Sequence, residues 1–266
     1  MIWPAEDLWL ALVAKQPGLT VEVLPEIAST NTELMRRARA GQTEPVLLVA
    51  EAQTAGRGRL GRQWHSEAGN ALTFSLGLML KPVDWSGLSI AVGMSLARSL
   101  DPQGDLGVRL KWPNDLWVKR PHLPTGWGKL AGILIETALP TGMRDSSDQG
   151  RYCVVGVGIN IVPPVAEGLS TAPLGLQDLQ NGITAPEALT RVAEPLLTTL
   201  LAFERSGFAP LQNAFNARDA LHNLPVTLSD GRQGVARGVN ATGALLVDTE
   251  QGQEAISSSE VSVRPV

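Results

Sequence analysis

Apolar residues along the chain follow two periods, and each period marks a kind of element. Pro45-Val46-Leu47-Leu48-Val49-Ala50 is an unbroken run of the buried-strand type, and residues 72–80 are a second strand candidate. Val108, Leu110 and Trp112 alternate with Arg109 and Lys111, the two-residue period of a half-buried strand. Pro113-Asn114-Asp115 breaks that strand and Leu116-Trp117-Val118 resumes it. Residues 129–136 and 152–162 predict two more strands around a loop at 140–150. Leu88, Val92, Leu96 and Leu100 carry the helical period within 86–100. Residues 186–205 and 208–221 also read as helices, Pro195 kinking the first or starting a fresh turn. Ser29-Thr30-Asn31-Thr32-Glu33 reads as a helix start, with Thr30 as the cap and Glu33 completing a capping box. Leu34, Met35 and Ala38 then give a short apolar face and Gly41 a stop, whereas residues 7–14 make at most one short helix. From Leu224 the texture changes to five short strands, at 226–228, 234–239, 244–247, 254–256 and 261–264. The pattern predicts an α+β core, residues 1–221, with a small β-barrel, residues 222–266, the boundary falling near 220–224.

Composition excludes classes before it suggests one. The 22 Lys+Arg against 26 Asp+Glu leave a formal charge of −4, without the basic surplus that binding along a nucleic acid needs. A single cysteine, Cys153, excludes an internal disulfide and any cysteine-only metal cluster, and as part of an apolar strand it reads as inert packing. His65, His122 and His222 lie too far apart for a zinc-type spacing. The longest uncharged stretch, 152–166, is broken by Gly156, Gly158, Asn160, Pro163 and Pro164, whereas a membrane span needs about 20 mainly apolar residues. Glu6 and Asp7 stand where a secretory leader wants basic residues, so a soluble cytoplasmic protein is expected.

Four segments carry candidate chemistry. Residues 51–64 interleave Gly56, Gly58 and Gly61 with Arg57, Arg59 and Arg62 and end at Trp64. Glycines let the backbone approach a ligand, and guanidinium forks suit phosphate or carboxylate oxygens. The same residues also suit a solvated basic turn, or a Gly/Arg segment that touches RNA. The run matches neither a phosphate-binding Walker loop nor a dinucleotide glycine motif. Lys111-Trp112-Pro113-Asn114-Asp115 offers charge at Lys111 and two polar side chains, Asn114 and Asp115, that could orient a metal-bound phosphate; it also suits a plain surface turn. Lys129 stands at the mouth of an apolar strand, either to stabilise a developing phosphate charge or to keep a strand end soluble. In Val155-Gly156-Val157-Gly158-Ile159-Asn160 one strand face has no side chains, leaving room for a flat ring, with Asn160 on a base edge, or for a closely packed helix. Trp112 and Trp117 could stack on a ligand or fill the core.

In this order the segments closely resemble biotin protein ligases: Ser-Thr-Asn at 29–31, Gly-Arg-Gly-Arg-x-Gly-Arg-x-Trp at 56–64, Lys-Trp-Pro-Asn-Asp at 111–115, Gly-Lys-Leu-Ala-Gly-Ile-Leu at 128–134, and Gly-x-Gly-Ile-Asn at 156–160. The resemblance implies a mixed, largely antiparallel central sheet with helices on one face, like that of class II synthetases, and a C-terminal SH3-like barrel. It implies that biotin and ATP give biotinyl-5′-AMP and pyrophosphate. The biotinyl group then passes to one lysine of the biotin carboxyl carrier protein of acetyl-CoA carboxylase, and of other biotin-dependent carboxylases. Ser29, Thr30, Asn31 and Gln53 would bind the biotin head group, with Gly56, Arg57, Gly58, Arg59 and Lys129 completing the biotin site. Arg57, Arg59, Arg62, Trp64, Lys111, Asn114, Lys129, Asn160 and Arg264 would hold ATP. Arg57, Arg59, Lys129 and Asp115 would be catalytic, Asp115 also being the candidate Mg²⁺ ligand or the acceptor of a proton from the carrier lysine.

Only 28 residues precede Ser29, too few for the winged helix-turn-helix that some relatives carry, so a monofunctional form without operator binding is expected, monomeric or weakly dimeric. Residues 120–126 and 141–150 read as solvated inserts, and Ser257-Ser258-Ser259 stands where relatives often have glycine. A lipoyl or octanoyl transferase is the nearest alternative, and an RNA-binding module a more distant one.

Overall fold

A computed structural model describes residues 1–123, 125–139, 150–165, 171–257 and 263–265, the last three in backbone only. Eight strands form the large sheet: β1 (Thr20–Ile27), β2 (Val46–Gln53), β3 (Ala71–Leu80), β4 (Val108–Lys111), β5 (Asp115–Lys119), β6 (Trp127–Ala138), β7 (Arg151–Asn160) and the two-residue β8 (Ala172–Pro173). Their order is β1-β2-β3-β7-β6-β5-β4, with β8 beside β6. Pairing is antiparallel except for β1 with β2 and β8 with β6.

Alternation along the strands sends side chains to two different cores. Leu47, Val49, Leu72, Phe74, Leu76, Leu78, Val155 and Val157 face one side, where α1 (Ala5–Val13), α3 (Leu88–Leu100) and α4 (Ala185–Ser206) cover them. Val46, Leu48, Tyr152 and Val154 face the other and meet Leu34, Met35 and Ala38 of α2 (Thr30–Arg39). Each such fully buried leucine contributes about 1.5–3 kcal/mol. The expectation of helices on one face thus holds for α1, α3 and α4, while α2 lies on the opposite face. The cause is the parallel β1–β2 pair, which needs a crossover, and α2 is that crossover.

Two helix expectations need correction. Residues 208–221 hold only a short turn and α5 (Gln212–Asn216), because the segment instead docks on β4: Leu110 N–H donates to Arg218 O, and Ala220 N–H donates to Leu110 O, both at 2.9 Å. The cap of α2 is Ser29, whose Oγ accepts from Thr32 N–H at 3.4 Å; Thr30 is already helical, and Glu33 pairs with Arg36 and Arg37 rather than closing a capping box. Pro195 sits inside an unbroken α4, whose capping box is Thr184 with Glu187. The strand β1, with mixed polar and apolar residues, gave no clean period.

A second, antiparallel sheet contains β9 (Pro225–Leu228), β10 (Gln233–Val239), β11 (Leu245–Thr249), β12 (Gly252–Ile256) and β13 (Val263–Pro265), ordered β12-β11-β10-β9-β13. It is tied to the large sheet by Trp112, fully buried, whose Nε1–H donates to Gly243 O at 3.1 Å. Asn216 and Gln212 bond to Val239 from the other side. Among the described residues no helix is long and apolar enough to cross a membrane.

Candidate active site

Strand register gathers the four motifs. Ile27 pairs with Gln53 in the parallel β1–β2 ladder, so the chain leaves β1 into Ser29–Asn31 and leaves β2 into the Gly/Arg loop at the same end of the sheet. Gly132 pairs with both Gly158 and Asp115, which brings β6, β7 and the 111–115 turn alongside. Together they bound a cavity of about 520 Å³ on the α2 face. Ser29, Thr30, Asn31, Gln53, Arg57, Gly58, Arg59, Arg62, Trp64, Lys111, Asn114, Asp115, Lys129 and Asn160 all line it.

One end is a neutral, pre-bonded corner. Gln53 Oε1 accepts from Thr30 N–H at 2.8 Å and from Thr30 Oγ1–H at 3.2 Å. Ser75 Oγ bridges Thr30 Oγ1 at 2.7 Å and Asn31 Oδ1 at 2.6 Å. Asn31 Nδ2 donates to Leu134 O at 3.1 Å and to Glu136 Oε2 at 3.0 Å. Ser29, Thr30, Asn31 and Ser75 are all buried, and such groups are tolerated only when bonded, as these are. The result is a rigid set of donors and acceptors.

The loop after β2 closes on itself: Gly58 N–H donates to Arg62 O at 2.7 Å, and Trp64 N–H to Gly56 O at 2.9 Å. Gly56 is buried just outside the cavity lining; a Cβ there would meet Trp64 O at 2.4 Å. The left-handed turn falls on Leu60 (φ 56°) and Gly61 (φ 71°), so Leu60 holds a conformation that costs a branched side chain energy. Leu60 is also solvent-exposed at the tip.

The bare strand face is used by the protein itself. A Cβ on Gly156 would lie 2.1 Å from Asn31 Oδ1, and one on Gly158 would lie 2.3 Å from Trp64 Cε2. The flat groups on the two glycines are the Asn31 amide, from the first turn of α2, and the Trp64 indole, so the close helix packing read from sequence is met at Gly156. Asn160 Nδ2 donates to Lys129 O at 3.1 Å and Leu174 O at 3.2 Å. Asn114 locks the 111–115 turn onto β6, its Nδ2 donating to Ile133 O at 2.9 Å and its own carbonyl accepting from Ile133 N–H at 2.9 Å. Trp112 and Trp117 are core residues: both are buried, Trp117 packing on Trp127 with centroids 6.0 Å apart.

The other end is cationic. Arg57, Arg59, Arg62, Lys111 and Lys129 line the cavity, and the acidic side chains near them are Asp115 and Glu136. Lys129 Nζ ion-pairs with Asp115 at 2.8 Å and lies 5.8 Å from the Trp64 ring centre; Arg57 approaches Glu136 at 4.0 Å. Burial pushes the Lys111 ammonium down to about 8; Asp115 opposes that shift, while Lys129, Arg62 and Arg59 add to it. Arg59 is lowered in the same direction, also by burial. Such a site favours a polyanion.

Among the described residues no group of three His, Cys, Asp or Glu could cage a metal. The donor set, one carboxylate beside cations, fits a Mg²⁺ held chiefly by substrate phosphates with Asp115 in reach. Arg264 pairs by its backbone with Thr227, and its side chain lies outside the described residues, as do residues 140–149 and 258–262. Of the 120–126 insert, Pro121, His122 and Thr125 are exposed, and Arg120 N–H donates to Gly126 O at 2.8 Å.

Two residues that contact the lining side chains from behind escaped the sequence reading. Ser75 is, with Thr73, one of two polar residues on a strand that is otherwise apolar or glycine, and Glu136 is the one acid ending the run Leu130–Ile135; both oddities were visible without structure.

Residues 23–160 match the biotin/lipoate A/B protein ligase family, and residues 225–264 match the biotin protein ligase C-terminal domain. The bifunctional ligase/repressor BirA of Escherichia coli is 32% identical over 95% of this chain and 77% of the relative. The biotin--[acetyl-CoA-carboxylase] ligase of Mycobacterium tuberculosis is 32% identical over 91% of this chain and 88% of its own. A solved biotin protein ligase from Aquifex aeolicus, in complex with biotin and ATP, superposes with a TM-score of 0.75 at 26% identity, covering 92% of this chain and 99% of that one. The chain belongs to the biotin/lipoate A/B protein ligase family. Within it, the C-terminal match and the named relatives make it a biotin ligase.

Proposed function

We propose that the enzyme joins biotin to ATP and then to a carrier lysine within this one cavity. The observation that carries the reading is the neutral corner of Thr30, Asn31, Gln53 and Ser75 meeting the cationic cluster at Lys129. The corner suits the uncharged, hydrogen-bonding head of biotin, and the cluster suits a carboxylate meeting a triphosphate. A biotin carboxylate oxygen bonds to the α-phosphorus and the bond to the bridging oxygen breaks, releasing pyrophosphate. Lys129, Arg57 and Arg59 offset the repulsion between these anions, and rigid placement supplies the rest. Mg²⁺ on the phosphates would add further charge neutralisation, with Asp115 as its protein contact.

Asn160 and Trp64 stand at the nucleoside end. In the second step the carrier's lysine amine attacks the acyl carbon and AMP leaves; Asp115 takes the proton that the amine sheds. No protein nucleophile is needed, which agrees with Cys153, whose thiol burial pushes up to about 12. We assign this chemistry to residues 1–221 and a second domain to 222–266, supported by β9 beginning at Pro225. The carrier is proposed to be the biotin carboxyl carrier protein of acetyl-CoA carboxylase, met in the cytoplasm. Incubation of an apo carrier domain with biotin and Mg-ATP should add one biotinyl mass, with pyrophosphate released before the carrier is added. Equal transfer of lipoate or octanoate, or no pyrophosphate with biotin, would refute the assignment.

A further inference from the structure

A second cleft, of about 430 Å³, opens between α3 and α4 on the face of the large sheet opposite the active site. Its floor includes Ser95, which is 5% exposed and whose hydroxyl has no hydrogen-bond partner among the described residues. Helical hydroxyls ordinarily satisfy themselves on the carbonyl four residues back. Thr190 and Thr198 of α4 do so on Pro186 O and Glu194 O, each at 3.0 Å. Ser95 does not, and leaving a buried hydroxyl unpaired is unfavourable. Arg98 and Arg191 flank the opening, both exposed; Arg191 touches Gln180 at 2.6 Å, and Arg98 makes no ion pair among the described residues. Met94, Pro102 and Leu211 are apolar parts of the wall, with the hydroxyl residues Ser99 and Thr199 beside them.

We propose that this cleft binds a small organic anion, a carboxylate or phosphate monoester on a short apolar chain. The anionic head lies between the Arg98 and Arg191 guanidinium groups and accepts a hydrogen bond from Ser95 Oγ, while the chain rests on Met94 and Leu211. The two guanidinium groups supply the charge-assisted donors, and the ligand supplies the acceptor that Ser95 lacks. The volume exceeds what a bare phosphate would fill, so an apolar body is part of the fit.

The test titrates the full-length protein with hexanoate, hexyl phosphate and hexanol, reading backbone amide shifts at Ser95, Arg98 and Arg191. These positions lie across the sheet from the active site, so binding of the same acid there is not scored. Both anions should give saturable shifts and hexanol none; the tighter anion identifies the head group. The surface variant R98Q/R191Q should bind roughly tenfold more weakly. Ser95→Ala should raise the melting temperature of the free protein, since it deletes an unpaired hydroxyl, yet weaken the anion several-fold. Saturation by hexanol as readily as by hexanoate, shifts that never saturate, or unchanged affinity in R98Q/R191Q would each overturn the proposal.

Discussion

Alanine at Gly156 and alanine at Gly158 should have different consequences, although the two sites are neighbours on one face of one strand. The added Cβ meets Asn31 Oδ1 at 2.1 Å in the first and Trp64 Cε2 at 2.3 Å in the second, so the steric intrusion is alike. What differs is whether the neighbour can move. The Asn31 amide is 3% exposed and held by Ser75, Leu134 O and Glu136, so it cannot retreat without breaking buried bonds. Overpacking costs about 1–3 kcal/mol and an unpaired buried amide about the same, so Gly156→Ala should lose roughly 3 kcal/mol. The Trp64 indole is half-buried and its Nε1–H has no partner among the described residues, so swinging it out breaks none of their hydrogen bonds. Gly158→Ala should then cost roughly 1 kcal/mol or less. Urea unfolding followed by circular dichroism gives both numbers, and calorimetric titration with biotin should show loss of affinity only for Gly156→Ala. Equal stability of the two variants, or Gly158→Ala being the weaker, would refute the anchored-amide argument.

Lys111 makes stability depend on pH. Its ammonium titrates near 8 when folded and near its ordinary 10.5 when unfolded. Between those values the unfolded chain binds more protons, so the folded state gains stability as pH rises through 8 to 10.5, by about 3 kcal/mol. Lys111→Met should flatten that profile, and chemical denaturation across the window reads it; an unchanged profile would reject the buried ammonium as its source. Asp115→Ala should lower both half-reactions at least tenfold by freeing Lys129 from its partner, measured as pyrophosphate release and carrier labelling. Wild-type rates in both steps would remove Asp115 from the mechanism. Trp112→Phe removes the bond to Gly243 O and should cost about 2 kcal/mol while raising the KM for ATP and sparing biotin affinity, since Trp112 lies between Lys111 and Pro113. A variant with unchanged ATP kinetics would show that the second sheet does not brace the turn.

The site was more legible in the sequence than the fold that builds it. Strands whose two faces differ sharply, such as 72–80, announce themselves; β1 does not, because Glu22 and Glu26 interrupt its apolar residues. Missing β1 hid the parallel pair, and with it the reason α2 crosses to the other face. The 208–221 segment has apolar residues at helical spacing, but its backbone is drawn into bonds with Leu110, and tertiary pairing overrode local preference. Candidate site residues stood out where their type opposed their surroundings, as arginines among glycines or a lysine on an apolar strand do. Ser75 and Glu136 followed the same logic but were single residues without a repeat to draw notice.

The two ends of the cavity also divide the energetic work unequally. The neutral corner has its partners already in place, so a ligand there pays little to organise it. The cationic end holds Lys111 and Arg59 against burial and against each other, with Asp115 the carboxylate opposing them. A polyanion arriving there relieves a strain that folding alone leaves in place. The charge that looked modest over the whole chain is thus concentrated where, in the proposed reaction, an anionic partner is drawn in and its repulsion with a second anion is offset. That concentration depends on β1–β2 register and on Trp112, neither of which is part of the chemistry itself.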